Sequence, residues 1–133
     1  MEIREVLFTK SFSVDASDPY RLAMDLMKKL SQNYRVYEKQ NIYKTDGPVK
    51  KCMVVFDAIE PLDKLTRIRI SFSMESENDT LFVDITGEFI LKIHQSGFFT
   101  DMFAEFYLGN VFPQLKKVSQ KRAQELKAEI EKI

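Results

Sequence analysis

The chain has 133 residues, 44% of them hydrophobic and 30% charged, with four Gly and four Pro. That length and composition suit one domain with a sizeable core and exclude a disordered chain. Lys+Arg and Asp+Glu are both 20, so the zero formal charge supplies no general attraction for nucleic acid.

The opening residues Met1-Glu2-Ile3-Arg4-Glu5 lack the basic-then-apolar pattern of a secretion signal. No run approaches the roughly 18 apolar residues of a membrane span. Cys52 is alone, so an intrachain disulfide is excluded, and a reducing cytoplasm is the expected compartment.

Val6, Phe8, Phe12 and Val14 share one parity, with Lys10 the exception, which predicts a half-buried strand over 4–14. Ser17-Asp18-Pro19 then reads as a helix start: Asp18 caps orphan amides, and Pro19 loses nothing at the first helical position. Ala23, Leu26, Met27 and Leu30 recur at helical spacing, giving a helix over 19–31. Residues 33–44 read as strand without clean parity, in one run or two short pieces, and Asp46-Gly47-Pro48 as a turn. Cys52, Val54, Phe56 and Ala58 alternate with residues that are themselves partly apolar, as in a strand flanked on both sides.

The strongest pattern runs over 65–94. Ile68, Ile70, Phe72 and Met74 face one way, and Leu81, Val83, Ile85, Phe89, Leu91 and Ile93 share one parity after the polar stretch 75–79. Pairing Met74 with Leu81 sets Phe72 opposite Val83, Ile70 opposite Ile85 and Ile68 opposite Gly87. It also sets Arg67 opposite Glu88 and Ser71 opposite Asp84, so one register serves both faces. Gly87, mid-strand on the apolar parity, marks a bend, a bulge or a close approach.

From Phe98 the period becomes helical. Phe99, Met102, Phe103, Phe106 and Tyr107 form an amphipathic stripe that breaks at Gly109-Asn110 and restarts near Phe112-Pro113. Leu115, Val118, Leu126 and Ile130 continue as a narrower stripe. From Val111 onward there are six Lys/Arg and three Glu, a local +3 that leaves −3 on residues 1–110. The cations Lys116, Lys117, Lys121 and Arg122 would suit contact with an acidic partner, RNA or a membrane surface, but read first as a solvated helical face.

His94, Asp84 and Glu88 share a parity and would suit acid–base chemistry, but that parity is the polar face of a strand, where such residues are ordinarily solvated. One His and one Cys without clustered spacing give no metal site. Isolated glycines at 47, 87, 97 and 109 give no phosphate loop or dinucleotide fingerprint. No cofactor is implied.

The order of strand, capped helix, several antiparallel strands and long C-terminal helix resembles the START-like helix-grip proteins, the Bet v 1 and polyketide-cyclase (SRPBCC) superfamily. The segment Phe8-Thr9-Lys10-Ser11-Phe12-Ser13-Val14-Asp15-Ala16-Ser17-Asp18-Pro19-Tyr20 is similar to that superfamily's opening strand, which passes through a Val-Asp-Ala-x-x-Pro turn into the first helix. The sequence departs from the pattern where a second short helix has little room, and where the C-terminal helix breaks at Gly109 and Pro113. The resemblance implies an α+β fold in which a curved antiparallel sheet grips the C-terminal helix on its concave face, with a hydrophobic-ligand cavity between them.

The leading expectation is a single domain over 1–133 that binds a small hydrophobic or lipid-like ligand without catalysis. Phe99, Phe103, Phe106, Tyr107, Phe72, Phe89 and Tyr37 are its candidate lining residues. Tyr34 and Cys52 are further polar candidates for such a pocket. One alternative is a protein-interaction or homodimerisation module using the charged helix 111–133, which would project. Another is a cyclase- or hydrolase-like enzyme, for which no residue nominates a substrate.

Overall fold

Among the described residues, long period-two runs separated by a capped helix fold, in the computed structural model, into five antiparallel strands and two helices. The structure describes residues 2–46, 49–62, 64–92, 109–110 and 112–132. The elements are β1 (Glu2–Asp15), α1 (Pro19–Leu30), β2 (Arg35–Asp46), β3 (Val49–Pro61), β4 (Thr66–Glu77), β5 (Thr80–Lys92) and α2 (Phe112–Lys132). The sheet order is β1-β5-β4-β3-β2, so β1 and β2 are opposite edges and α1 crosses the sheet between them.

The α1 boundaries follow local chemistry. Asp18 is the N-cap and accepts from the Arg21 N–H at 3.2 Å, and Pro19 opens the helix. Leu22, Ala23, Leu26 and Leu30 are buried against the sheet. Only four residues separate α1 from β2, leaving no room for a second helix.

The described part of the stretch 65–94 does form a hairpin, over 66–92, but its register differs from the expected one by two residues. Phe72 lies opposite Ile85, Ile70 opposite Gly87 and Ile68 opposite Phe89; Arg69, not Arg67, faces Glu88, and Ser73, not Ser71, faces Asp84. The cause is the turn. Glu75, Ser76 and Glu77 remain in β4, and the chain reverses over Asn78-Asp79, where Asn78 takes φ 55°, a conformation Asn tolerates better than most residues. Ser76 holds that end of the sheet together by accepting the Cys52 N–H at 2.8 Å. A shift of two keeps every side chain on its face, so the apolar face survives intact.

That inner face carries the core. Val54, Phe56, Ala58, Ile70, Phe72, Met74, Leu81, Val83, Ile85, Phe89 and Leu91 are all at most 1% exposed. Phe56 and Phe72 stack across β3 and β4 with ring centroids 4.7 Å apart. Burial of each such side chain is worth about 1.5–3 kcal/mol, which makes this face the main source of stability.

Two bulges alter the edge strands. In β1 the register slips between Val6 and Phe8. The slip turns Val6 outward, 51% exposed, and buries both Leu7 and Phe8; the shared parity expected of Val6 and Phe8 is therefore broken. Phe8 lies opposite Gly87 and covers it: a Cβ on Gly87 would sit 2.2 Å from the Phe8 Cε1 atom. In β2 the slip falls between Glu38 and Gln40, which explains why the stretch 33–44 lacks clean parity although Arg35–Asp46 form one strand.

The outer face is polar but not bare. Arg69 Nη2 bonds Glu88 Oε2 at 3.0 Å, and Lys39 Nζ reaches Asp57 Oδ2 at 3.0 Å. The Asp57 side chain is only 7% exposed while that of Lys39 is 54% exposed, and Asp57 Oδ1 has no hydrogen-bond partner in the structure. At the strand end, the hydrogen bond from the Arg4 guanidinium holds the Glu2 carboxyl below its ordinary value.

Gly87→Ala should lower stability by about 1–3 kcal/mol through overpacking against Phe8. In a urea-denaturation double-mutant cycle, adding Phe8→Ala should cost less than the sum of the single changes, because the methyl then occupies vacated space. Additive costs would mean that the two residues do not meet. Lys39→Met should cost about 1–3 kcal/mol by leaving a buried carboxylate without its cation. Combining it with Asp57→Val should recover much of that loss, since a buried charge pair is readily replaced by apolar packing.

Candidate ligand-binding face

Among the described residues, two helices cover the inner face, and they stand on different strands. α1 lies on β2, β3 and β4, and α2 lies along β1 and β5. α2 is anchored at both ends. Phe112 meets Phe89 with ring centroids 6.2 Å apart, and Ile130 is fully buried in the core. Between them Leu115 is half-buried, Ser119 is buried, and Lys127 Nζ stands 5.7 Å from the centre of the Phe12 ring. The helix left free to project by its sequence thus lies on the sheet, with Val118 of its apolar stripe exposed at 58%. Pro113 falls in its first turn, where a missing N–H costs no helical bond.

The candidate lining residues divide into three groups. Phe72 and Phe89 sit on the inner face, both fully buried. Tyr37 lies opposite Asp57 on the outer face and is 56% exposed, so the structure does not bring it to the floor. It precedes the Lys39 bulge, where Val36 and Glu38 hold the inward parity. Phe99, Phe103, Phe106 and Tyr107 lie outside the described residues, as do His94 and the rest of the Phe-rich stretch. Of the polar candidates, Cys52 is buried on the inner face and Tyr34 packs half-buried against the core.

A polar cluster that the sequence did not reveal joins α1 to β2. The Tyr20 hydroxyl donates to Asn41 Oδ1 at 3.0 Å, the Asn41 amide donates to Met24 Sδ at 3.4 Å, and the Tyr20 and Tyr43 rings are 4.7 Å apart. The Lys39 bulge reverses the parity of the strand just before Asn41, so alternation could not place Asn41 and Tyr43 beside the helix.

Among the open surface depressions are three formed by described residues. One of ≈ 550 Å³ runs between β1 and α2, lined by Val6 to Lys10 and by Lys116, Gln120 and Gln124. One of ≈ 480 Å³ lies at the turn into α1, and one of ≈ 520 Å³ at the β4–β5 turn beside Lys51 and Phe82. Phe72, Phe89 and Tyr37 line none of these three. The β1–α2 depression has an apolar base of Leu7 and Phe8 and a rim of amines and amides. Lys10, the exception in the alternation of β1, was its one visible sign in the sequence. Among the described residues no group of three His, Cys, Asp or Glu is placed to hold a metal, and no helix is long and apolar enough to cross a membrane.

No family model matches the chain, and no curated protein matches it. Among solved structures it is similar to Ara h 8.0201 at 12% identity, covering 90% of this chain and 99% of that one, with a TM-score of 0.32. It is also similar to norcoclaurine synthase from Thalictrum flavum, in complex with dopamine and hydroxybenzaldehyde, at 11% identity over 90% and 88% of the two chains, TM-score 0.33. A point mutant of that enzyme with a transition-state analogue gives 11% identity over 90% and 92%, TM-score 0.31. Likeness at this level carries no argument about activity, and what the chain does has to be read from its own residues.

Proposed function

We propose that the chain is a non-catalytic binding domain for a small hydrophobic or lipid-like ligand, taken up between the inner face of the sheet and α2. The observation that supports this is the division of cover over one continuous apolar floor. Phe56, Ile70, Phe72, Ile85 and Phe89 form that floor, while α1 stands on β2–β4 and α2 on β1 and β5. Separation of the helices would open apolar surface of the kind that lines small-molecule pockets.

α2 is the element suited to move. Among its described side chains, contacts with the floor are made by Phe112, Leu115 and Ile130, whereas Lys116, Lys117, Val118, Gln120 and Lys121 are exposed. A helix attached by a few apolar contacts opens at a lower free-energy cost than a central strand. The floor is closed in this structure, with Phe72 and Phe89 fully buried, so ligand entry requires α2 to lift and Phe112 to leave Phe89.

Native mass spectrometry of gently purified protein should show a co-purified apolar mass. Thermal denaturation with a panel of fatty acids and sterols should show stabilisation, about 2.7 kcal/mol at a ligand concentration 100-fold above Kd. Leu115→Glu, which sets a carboxylate at the mouth of the proposed space, should abolish the stabilisation. A protein that carries no such mass and is stabilised by none of the panel would refute the reading.

A further inference from the structure

Among the described residues β1 ends the sheet: one side pairs with β5 and the other carries no strand. Such an edge presents unpaired backbone N–H and C=O groups, a template for another strand. Beside it runs α2, and the ≈ 550 Å³ groove between them is lined by five consecutive residues, Val6 to Lys10, together with Lys116, Gln120 and Gln124.

The lining pattern defines which surface of β1 the groove uses. A groove on one face of a strand would be lined by alternate residues, because successive side chains point to opposite faces. Five consecutive residues place the groove along the edge itself, backbone included. Every second residue of an antiparallel strand directs its N–H and C=O away from its partner, so this edge offers a ladder. Lys116, Gln120 and Gln124 are spaced four apart, which sets them in one row along the helix.

The groove also has a definite charge. Lys10 and Lys116 line it, no carboxylate does, and neither lysine is in an ion pair with a described residue. We propose that this groove receives an extended acidic segment of a partner protein, added as a strand against β1 between the sheet edge and α2. Val6, half-exposed at the bulge, supplies the apolar contact, and Lys10 and Lys116 pair with carboxylates of the incoming strand. Strand addition takes its affinity from main-chain hydrogen bonds and its specificity from side chains flanking the groove.

A lipid chain fits this place poorly, because it would cover Thr9, Gln120 and Gln124 without satisfying their polar groups. β1 of a second copy would bring Arg4 and Lys10 as well as Glu2 and Glu5, and its pairing here is distinguished by sedimentation. This assignment does not depend on a ligand beneath α2.

The test uses the full chain, isotopically labelled, and a short capped peptide of alternating Val and Glu. Amide resonances of residues 6–10 and 116–124 should shift on titration, and raised salt should weaken binding. Lys10→Glu combined with Lys116→Glu should weaken the Val-Glu peptide by about ten-fold or more and admit a Val-Lys peptide in its place. The same spectra report whether that variant is folded. A Val-Glu peptide N-methylated at alternate residues, which cannot complete the ladder, should lose binding to the unaltered protein. No shifts, shifts confined to other surfaces, or equal binding of the N-methylated peptide would each overturn the proposal. So would concentration-dependent dimerisation in sedimentation that perturbs the same residues without peptide.

Discussion

The one-residue bulge at Leu7 decides what β1 can do. Without it, Val6 and Phe8 would share a face and Leu7 would point to solvent. With it, Leu7 and Phe8 are both buried, Val6 turns to the open edge, and Phe8 lies over Gly87 on β5. The glycine is required by that contact: the ring fills the space in which any Cβ would sit. Bulge, ring and glycine form one unit that joins the edge strand to the strongest hairpin and also builds the base of the β1–α2 groove. A bulge bends its strand and increases local twist, and here it does so where α2 passes alongside.

How much was legible in the sequence depended on what each feature rests on. The α1 start was readable because Asp18 and Pro19 act within a few residues of themselves. The two faces of β4 and β5 were readable because alternation has a period of two and burial obeys it. Register was not, because a shift of two leaves both faces unchanged, and the decision fell to Asn78, whose tolerance of positive φ outweighed the polarity of 75–77. Neither bulge was readable. Each adds one residue to one strand, and only the partner strand defines which residue is extra. The β1–α2 groove is missed for the same reason: it joins residues 6–10 to residues 116–124, far apart in the chain, and only Lys10, out of place in an apolar alternation, hinted at it.

The outer face shows a different constraint. A sheet with helices on one side must still manage its other side and two long edges. Here Arg69–Glu88 and Lys39–Asp57 lie across the outer face, and the Lys39 bulge interrupts β2. Such devices discourage unwanted strand pairing. Lys39 contributes twice: its backbone breaks the regularity of the β2 edge, and its amine compensates a buried carboxylate. The β1 edge has a bulge of its own, yet α2 runs beside it and forms with it a groove that Lys10 and Lys116 line. One edge is disrupted and the other is made selective.

α2 is the wall shared by both proposed sites. Its buried side touches the floor through Phe112, Leu115 and Ile130, and its flank lines the groove through Lys116, Gln120 and Gln124. Leu115 and Lys116 are adjacent residues with opposite duties, so a rigid-body movement of the helix cannot alter one surface and spare the other. If a ligand beneath α2 must lift it, the same lift widens the groove and separates Lys116 from the β1 edge. Two molecules whose binding requires different positions of one helix oppose each other, and by linkage each weakens the other by the same factor. The strength of that opposition is set by Phe112 against Phe89 and by Ile130 in the core, the contacts that fix where α2 rests.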